Sequence, residues 1–202
     1  TAFWCLLNDG MGYLKKRPCG GSFAFGLELA DMDNDGDLDA LVGAHEIDGP
    51  EWGFTGIVWN NGRGYFNVKQ ALPKHVKKWS SIPEVSAADL DNDGDLDIVY
   101  SRAGELYVGT SIQILENLGN KKFKDHGVMP LVEAPDHYKP VHEGNEWNDF
   151  IEAIVFRDFD KDGHQDLYLA SGTTKTNGTI MLNRGNFTFV IVRPSQARAY
   201  IK

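Results

Sequence analysis

A chain of 202 residues with 42% apolar side chains has enough material for the packed core of one or two domains. No stretch approaches the roughly 20 apolar residues of a helical membrane span, and nothing reads as a signal peptide. The net charge of −9, from 29 acidic and 20 basic side chains, argues against a nucleic-acid partner, which calls for basic patches.

Residues 2–7 and 13–17 read as two strands joined by an Asn8-Asp9-Gly10 turn. Residues 22–30 then lead into the acidic run Asp31-Met32-Asp33-Asn34-Asp35-Gly36-Asp37-Leu38-Asp39, and residues 39–44 leave it. Residues 55–59 run into Asn60-Asn61-Gly62, and 65–71 run out of it. The order repeats with strands at 84–88, 97–101, 111–116 and 122–124 around an acidic loop at 89–97 and the turn Asn117-Leu118-Gly119. A third round has strands at 150–157, 166–170, 179–182 and 187–192, with an acidic loop at 158–166 and the turn Asn183-Arg184-Gly185. Apolar, β-branched and aromatic residues dominate these segments, and none shows a helical period.

Two motifs therefore alternate along the chain. Acidic loops begin at Asp31, Asp89 and Asp158, and Asn-x-Gly turns begin at Asn8, Asn60, Asn117 and Asn183. An apolar residue follows each Asn by six positions: Leu14, Phe66, Phe123 and Phe189. Asn and Gly at this spacing supply the positive φ angles of a tight hairpin. Four strands per repeat is the up-and-down meander of a β-propeller blade, so the expected fold is all-β. Residues 1–20 are the end of a preceding blade, 21–72 and 84–126 are full blades, 127–149 is an inter-blade insert, and 150–202 is the last blade. A closed ring needs at least four blades, so the remainder is expected from a longer polypeptide, or else from a second chain. The initial Thr fits a processed product or an excised piece.

The acidic loops share the form Asp-x-Asp-x-Asp-Gly-x-x-Asp, with His164 in place of Asp37 or Asp95 at the seventh position. Positions 1, 3 and 5 put carboxylates on one side of a tight loop, the Gly permits the turn, position 7 can offer a carbonyl, and position 9 closes the shell. Calcium takes six to eight oxygen ligands in flexible geometry, whereas magnesium demands a stricter octahedron. An EF-hand needs Glu at position 12 and flanking helices; here that position is Val42, Tyr100 or Leu169, within strands. Packed like charges need a counter-ion, and three divalent cations would bring −9 to about −3. The competing reading is an Asp-Gly turn that joins strands with no ion, and three copies at matching places count against it. Lys161 and His164 are expected to point outward and weaken the third site.

Cys5 and Cys19 lie across the first hairpin, where a disulfide and two free thiols are both open readings. Asn177-Gly178-Thr179 and Asn186-Phe187-Thr188 are glycosylation sequons. A compartment with millimolar calcium suits the loops, so an extracellular or luminal location is expected.

Phe25-Gly26, the loop from Asp31 to Asp39 and Leu41-Val42-Gly43-Ala44 resemble the FG-GAP repeat family, the blades of integrin α-chain propellers and of VCBS-type repeats. The resemblance implies side-chain ligands at Asp31, Asp33, Asp35 and Asp39, with Asp37 through its carbonyl. It implies the same for Asp89, Asp91, Asp93 and Asp97 with Asp95, and for Asp158, Asp160, Asp162 and Asp166 with His164. The later blades depart from it, since Phe-Gly becomes Glu84-Val85 and Ile151-Glu152.

In a propeller the acidic loops and Asn-Gly turns share one face, and Asn120 and Lys121 are expected to be plain turn residues there. The other face holds the unlike connections at 45–54, 72–83, 102–110 and 127–148. These carry Trp52, Trp79, His137, Tyr138, His142, Glu143 and Trp147, a set suited to sugar stacking or to protein hot spots. Burial of the same aromatics between blades is the plainer alternative. Two functions follow: a module that recognises a protein or glycan, with structural calcium, or the propeller of a secreted polysaccharide-active enzyme with a His/Tyr/Glu site. Convergence of His137, His142 and Glu143 in a cleft would favour the enzyme.

Overall fold

A computed structural model describes residues 4–18, 24–45, 53–73, 76–136, 138, 147–172 and 175–201. The described chain is all-β, with fourteen strands in four antiparallel sheets. A hairpin of β1 (Trp4–Asn8) and β2 (Leu14–Pro18) comes first. Three four-stranded meanders follow. The first is β3 (Gly26–Ala30), β4 (Asp39–Gly43), β5 (Gly56–Asn60) and β6 (Phe66–Ala71). The second is β7 (Ser81–Ala88), β8 (Asp97–Ala103), β9 (Thr110–Asn117) and β10 (Phe123–Val132). The third is β11 (Ala153–Arg157), β12 (Asp166–Ala170), β13 (Thr179–Asn183) and β14 (Phe189–Val192).

The second meander is longer than the 84–126 expected. Gly127, read as the start of an insert, takes φ +82° at a register shift between Asp125 and Val128. A glycine in this region lets a strand bulge and continue, so β10 carries Val128, Met129 and Leu131 onward. The connection expected at 102–110 shrinks to 104–109, because Arg102 lies inside β8, fully buried. β11 begins at Ala153 rather than 150. Two 3-10 turns, Lys77–Trp79 and Glu105–Tyr107, and one α-helical turn were not anticipated; the latter, α1 (Pro194–Ala197), seats Ala197, with Tyr200 just beyond it, against Ile180, Leu182 and Val192 on the third sheet. A single turn shows no period from which to read it. Cys5 is disulfide-bonded and the sequence has one other cysteine, Cys19, outside the described residues.

The meanders face one another in chain order, and the core lies between them. Leu41, Ile57 and Trp59 of the first sheet meet Ile82, Val85, Ile98 and Tyr100 of the second. Val99, Ile112 and Ile114 on the other side of the second sheet meet Ile154, Leu167, Leu169 and Met181 of the third. Each such aliphatic side chain, removed wholly from water, stabilises the stack by about 1.5–3 kcal/mol. The first strands of neighbouring sheets approach most closely. A Cβ on Gly26 would lie 2.9 Å from the Val85 nitrogen and 3.0 Å from the Glu84 carbonyl carbon, so β3 and β7 pass too near for any side chain there. No helix among the described residues is long and apolar enough to cross a membrane.

Candidate metal centres and the opposite face

Each acidic loop is held by its own carboxylates. The first Asp of each (Asp31, Asp89, Asp158) accepts the backbone N–H of position 5 at 3.1, 3.2 and 3.1 Å. Its other oxygen accepts that of position 6 at 2.9, 3.1 and 3.0 Å. Two left-handed residues make the curl: Asn34, Asn92 and Lys161 at position 4 and Gly36, Gly94 and Gly163 at position 6. No atom lies within 4 Å of a Cβ built on these glycines, so backbone conformation rather than crowding demands Gly.

The last Asp of each loop is buried: Asp39, Asp97 and Asp166 are 2%, 1% and 0% exposed. One oxygen accepts the N–H of position 2, from Met32, Leu90 or Phe159. The other accepts the N–H of the turn asparagine, Asn60, Asn117 or Asn183. Burial raises the pKa of all three, against those hydrogen bonds, and pushes Asp97 up to about 7.

Carboxylate oxygens of positions 1, 3 and 9 converge in every copy: Asp31 with Asp33 and Asp39, Asp89 with Asp91 and Asp97, Asp158 with Asp160 and Asp166. Within each group they lie within 4.8 Å of one another. Such a three-carboxylate oxygen set could hold a metal ion. Asp35, Asp93 and Asp162 at position 5 stand outside these groups and accept the position 7 N–H at 2.9, 2.8 and 3.0 Å. Asp33 Oδ1 and Asp160 Oδ1 are buried with no hydrogen-bond partner. Buried carboxylate oxygens are costly to leave unpaired, and a cation among them would remove that cost.

Two expectations for this side need correction. Lys121 is no plain turn residue: its Nζ lies 2.9 Å from Asp33 Oδ2 and 3.9 Å from the Trp59 ring centroid. His164 does not point away, but sits with Nδ1 3.1 Å from Asn92 Nδ2 of the preceding loop. Lys161 is exposed, as expected. In the third loop Arg184 pairs with Asp160 and, at 2.9 Å, with Asp162. Among the described residues no Lys or Arg pairs with the second loop, where burial and the charges of Asp93, Asp89 and Glu116 push Asp91 up against the pull of the Asp93 N–H.

On the opposite side Trp79 is buried, 5% exposed, and its carbonyl accepts from Arg102 at 2.6 Å. It is thus closer to the core reading than to an open stacking platform, although it lines a cavity of about 240 Å³ with Lys78, Glu105, Glu133, Asp136 and Tyr138. Tyr138 meets Trp147 edge-on at 6.2 Å, and Lys175 Nζ lies 3.5 Å over Trp147. Trp52, His137, His142 and Glu143 lie outside the described residues. A row of rings that sequence reading missed runs Phe25, His45, Tyr107, Phe150, with centroids 5.5, 5.8 and 5.4 Å apart. All three meanders contribute to it, so no local pattern could reveal it. Leu106 and Tyr107 both hold positive φ, 52° and 59°, an unusual backbone for large side chains. No family model and no curated protein matches this chain.

Proposed function

We propose that this chain is a calcium-stabilised β-propeller segment of the FG-GAP or VCBS type, working outside the cell or in a luminal compartment. Its side opposite the loops recognises a protein or carbohydrate partner. The observation that carries the reading is the threefold recurrence of converging carboxylates at positions 1, 3 and 9, two of them with an orphaned buried oxygen. Asp31, Asp33 and Asp39, with their counterparts in the other loops, would hold the ions. Asp35, Asp93 and Asp162, with the carbonyls of Asp37, Asp95 and His164, would complete the shells that the resemblance implies. The bound ion supplies positive charge that offsets carboxylate repulsion. The residues themselves keep the loops curled, through the position 1 hydrogen bonds, and keep each loop docked on its turn, through position 9.

An all-oxygen set without Cys selects a hard cation, and loops of single-residue ligands favour calcium over the stricter magnesium. Recognition on the other side is supported by the row from Phe25 to Phe150 and by the Tyr138–Trp147 pair, rings set on unlike connections. Equilibrium dialysis against calcium, with the protein-bound metal counted by mass spectrometry, tests the metal part. Three ions per chain are expected, and two for Asp91→Ala. A chain that takes up no calcium, or prefers zinc, refutes it.

A further inference from the structure

The three loops are not independent turns, because single side chains join each to the next. Asn117 opens the turn between β9 and β10 and is 2% exposed. Its backbone N–H donates to Asp97 Oδ1 at 2.8 Å, and its Nδ2 donates to the Leu96 carbonyl of the same loop at 3.1 Å. The same Nδ2 donates to the Met32 carbonyl of the preceding loop at 3.0 Å, between Asp31 and Asp33. Asn183 repeats all three contacts one sheet later, to Asp166 Oδ1 at 2.7 Å, the Gln165 carbonyl at 3.2 Å and the Leu90 carbonyl at 2.7 Å. Among the described residues Asn60 has only the half within its own loop, to Asp39 Oδ1 and the Leu38 carbonyl. A second tie crosses the exposed ends of the loops. Asn34 Nδ2 donates to Asp95 Oδ1 at 2.6 Å, and Asn92 Nδ2 to the Gly163 carbonyl at 3.2 Å.

Resting on the calcium reading above, we infer that Asn117 and Asn183 are positioning residues that couple cation binding in consecutive loops. A primary amide has two N–H donors in one plane, and here they are spent on carbonyls of two different loops. The group is buried, so a displacement of either carbonyl leaves a donor without a substitute partner. Asp31, Asp33 and Asp39, drawn onto a bound cation, would fix the backbone at Met32 between them. That holds the Asn117 carboxamide, and the Asn117 backbone N–H in turn holds the Asp97 carboxylate of the second loop. Filling the first loop thus lowers the ordering cost of the second, and Asn183 passes the same effect to the third. Asn60, bonded within its own loop alone among the described residues, supports its own site without linking it.

Calorimetric titration of the whole chain with calcium chloride tests this, with the third loop disabled throughout by Asp158→Ala. Adding Asp31→Ala should weaken binding at the second loop at least about fivefold, the lower range of measured coupling between sites. In an Asn117→Ala background the same substitution should change it less than about twofold. Asn60→Ala should weaken the first loop and leave the coupling intact, which separates a link between sites from general loosening. Asn34→Gly suits its backbone φ of 57° and cuts only the second tie. It should leave most of the coupling in place, and Asn183→Ala serves if Asn117→Ala does not fold: with Asp31→Ala throughout and the third loop restored, it should remove the effect of Asp89→Ala on calcium binding at the third loop. Equal affinity of the second loop with and without a working first loop overturns the coupling and leaves the calcium reading standing. No calcium uptake at any loop overturns both.

Discussion

Asn34, Asn92 and Lys161 stand at the same position of their loops with φ of 57°, 64° and 67°. An L-residue pays about 1–2 kcal/mol for the left-handed region, and Asn is among the few that visit it readily. Lys161 is therefore the least suited of the three, and its side chain is exposed. Lys161→Asn should stabilise the protein by about 0.5–1 kcal/mol, read as a rise in the denaturation midpoint at constant slope. An unchanged or lower midpoint would mean that the lysine side chain contributes something the backbone argument omits. The preference for Asn and Gly at positive φ is a property of single residues, and for that reason these turns are legible in the sequence.

The acidic loop as an element has a pH dependence of definite sign. Burial pushes Asp97 from the ordinary 3.8 up to about 7, and raises Asp39 and Asp166 as well. Below the ordinary value the group is protonated in the folded and unfolded chain alike, and its contribution to stability is fully present. As pH rises toward 7 the unfolded chain releases the proton first, so the metal-free fold loses stability through that window. A divalent cation bound at the loop, as proposed, would take the proton's place, so its stabilising effect should grow across the same window. The melting temperature in chelator should fall by about 5 °C between pH 4.5 and 7.5, while in calcium it should hold or rise. A chelated protein that grows more stable over that range would contradict it. Glu116 and Asp162 have lowered pKa values, from Lys124 beside Glu116 and from the His164 N–H on Asp162. Their contributions disappear only below the ordinary carboxylate range, outside this window.

The molecule as a whole is a row of sheets with its loops on one side. The hydrogen bonds from Asn34 to Asp95 and from Asn92 to Gly163 place the three loops side by side. If the loops hold the cations proposed above, removing them should loosen that side first, since the carboxylates there repel one another, whereas the sheets meet through apolar side chains. In hydrogen exchange with chelator, amides at 32–38, 90–96 and 159–165 should lose protection, while Val99, Ile114 and Leu169 in the strands keep theirs. Uniform loss across both sets would show that the ions hold the entire stack together, and unchanged loops would show that they hold nothing.

The four-strand rhythm, the turns and the residues of the acidic loops are all readable from the chain itself, because each depends on local conformational preference and on a period of two or four elements. The strand ends are less so. β10 continues through a glycine bulge, and α1 forms because apolar surface on β13 and β14 needs covering. Which carboxylates converge is tertiary only in part: position 5 accepts from the position 7 N–H two residues on, a local bond, whereas position 9 accepts from a turn about twenty residues away. Lys121 reaches Asp33 from the next sheet, and Asn117 reaches Met32 across 85 residues. Contacts of that kind are set by how sheets stack, and stacking depends on apolar faces meeting rather than on any spacing along the chain. The order of residues settles what each loop is made of; the packing of sheet on sheet settles what each loop touches.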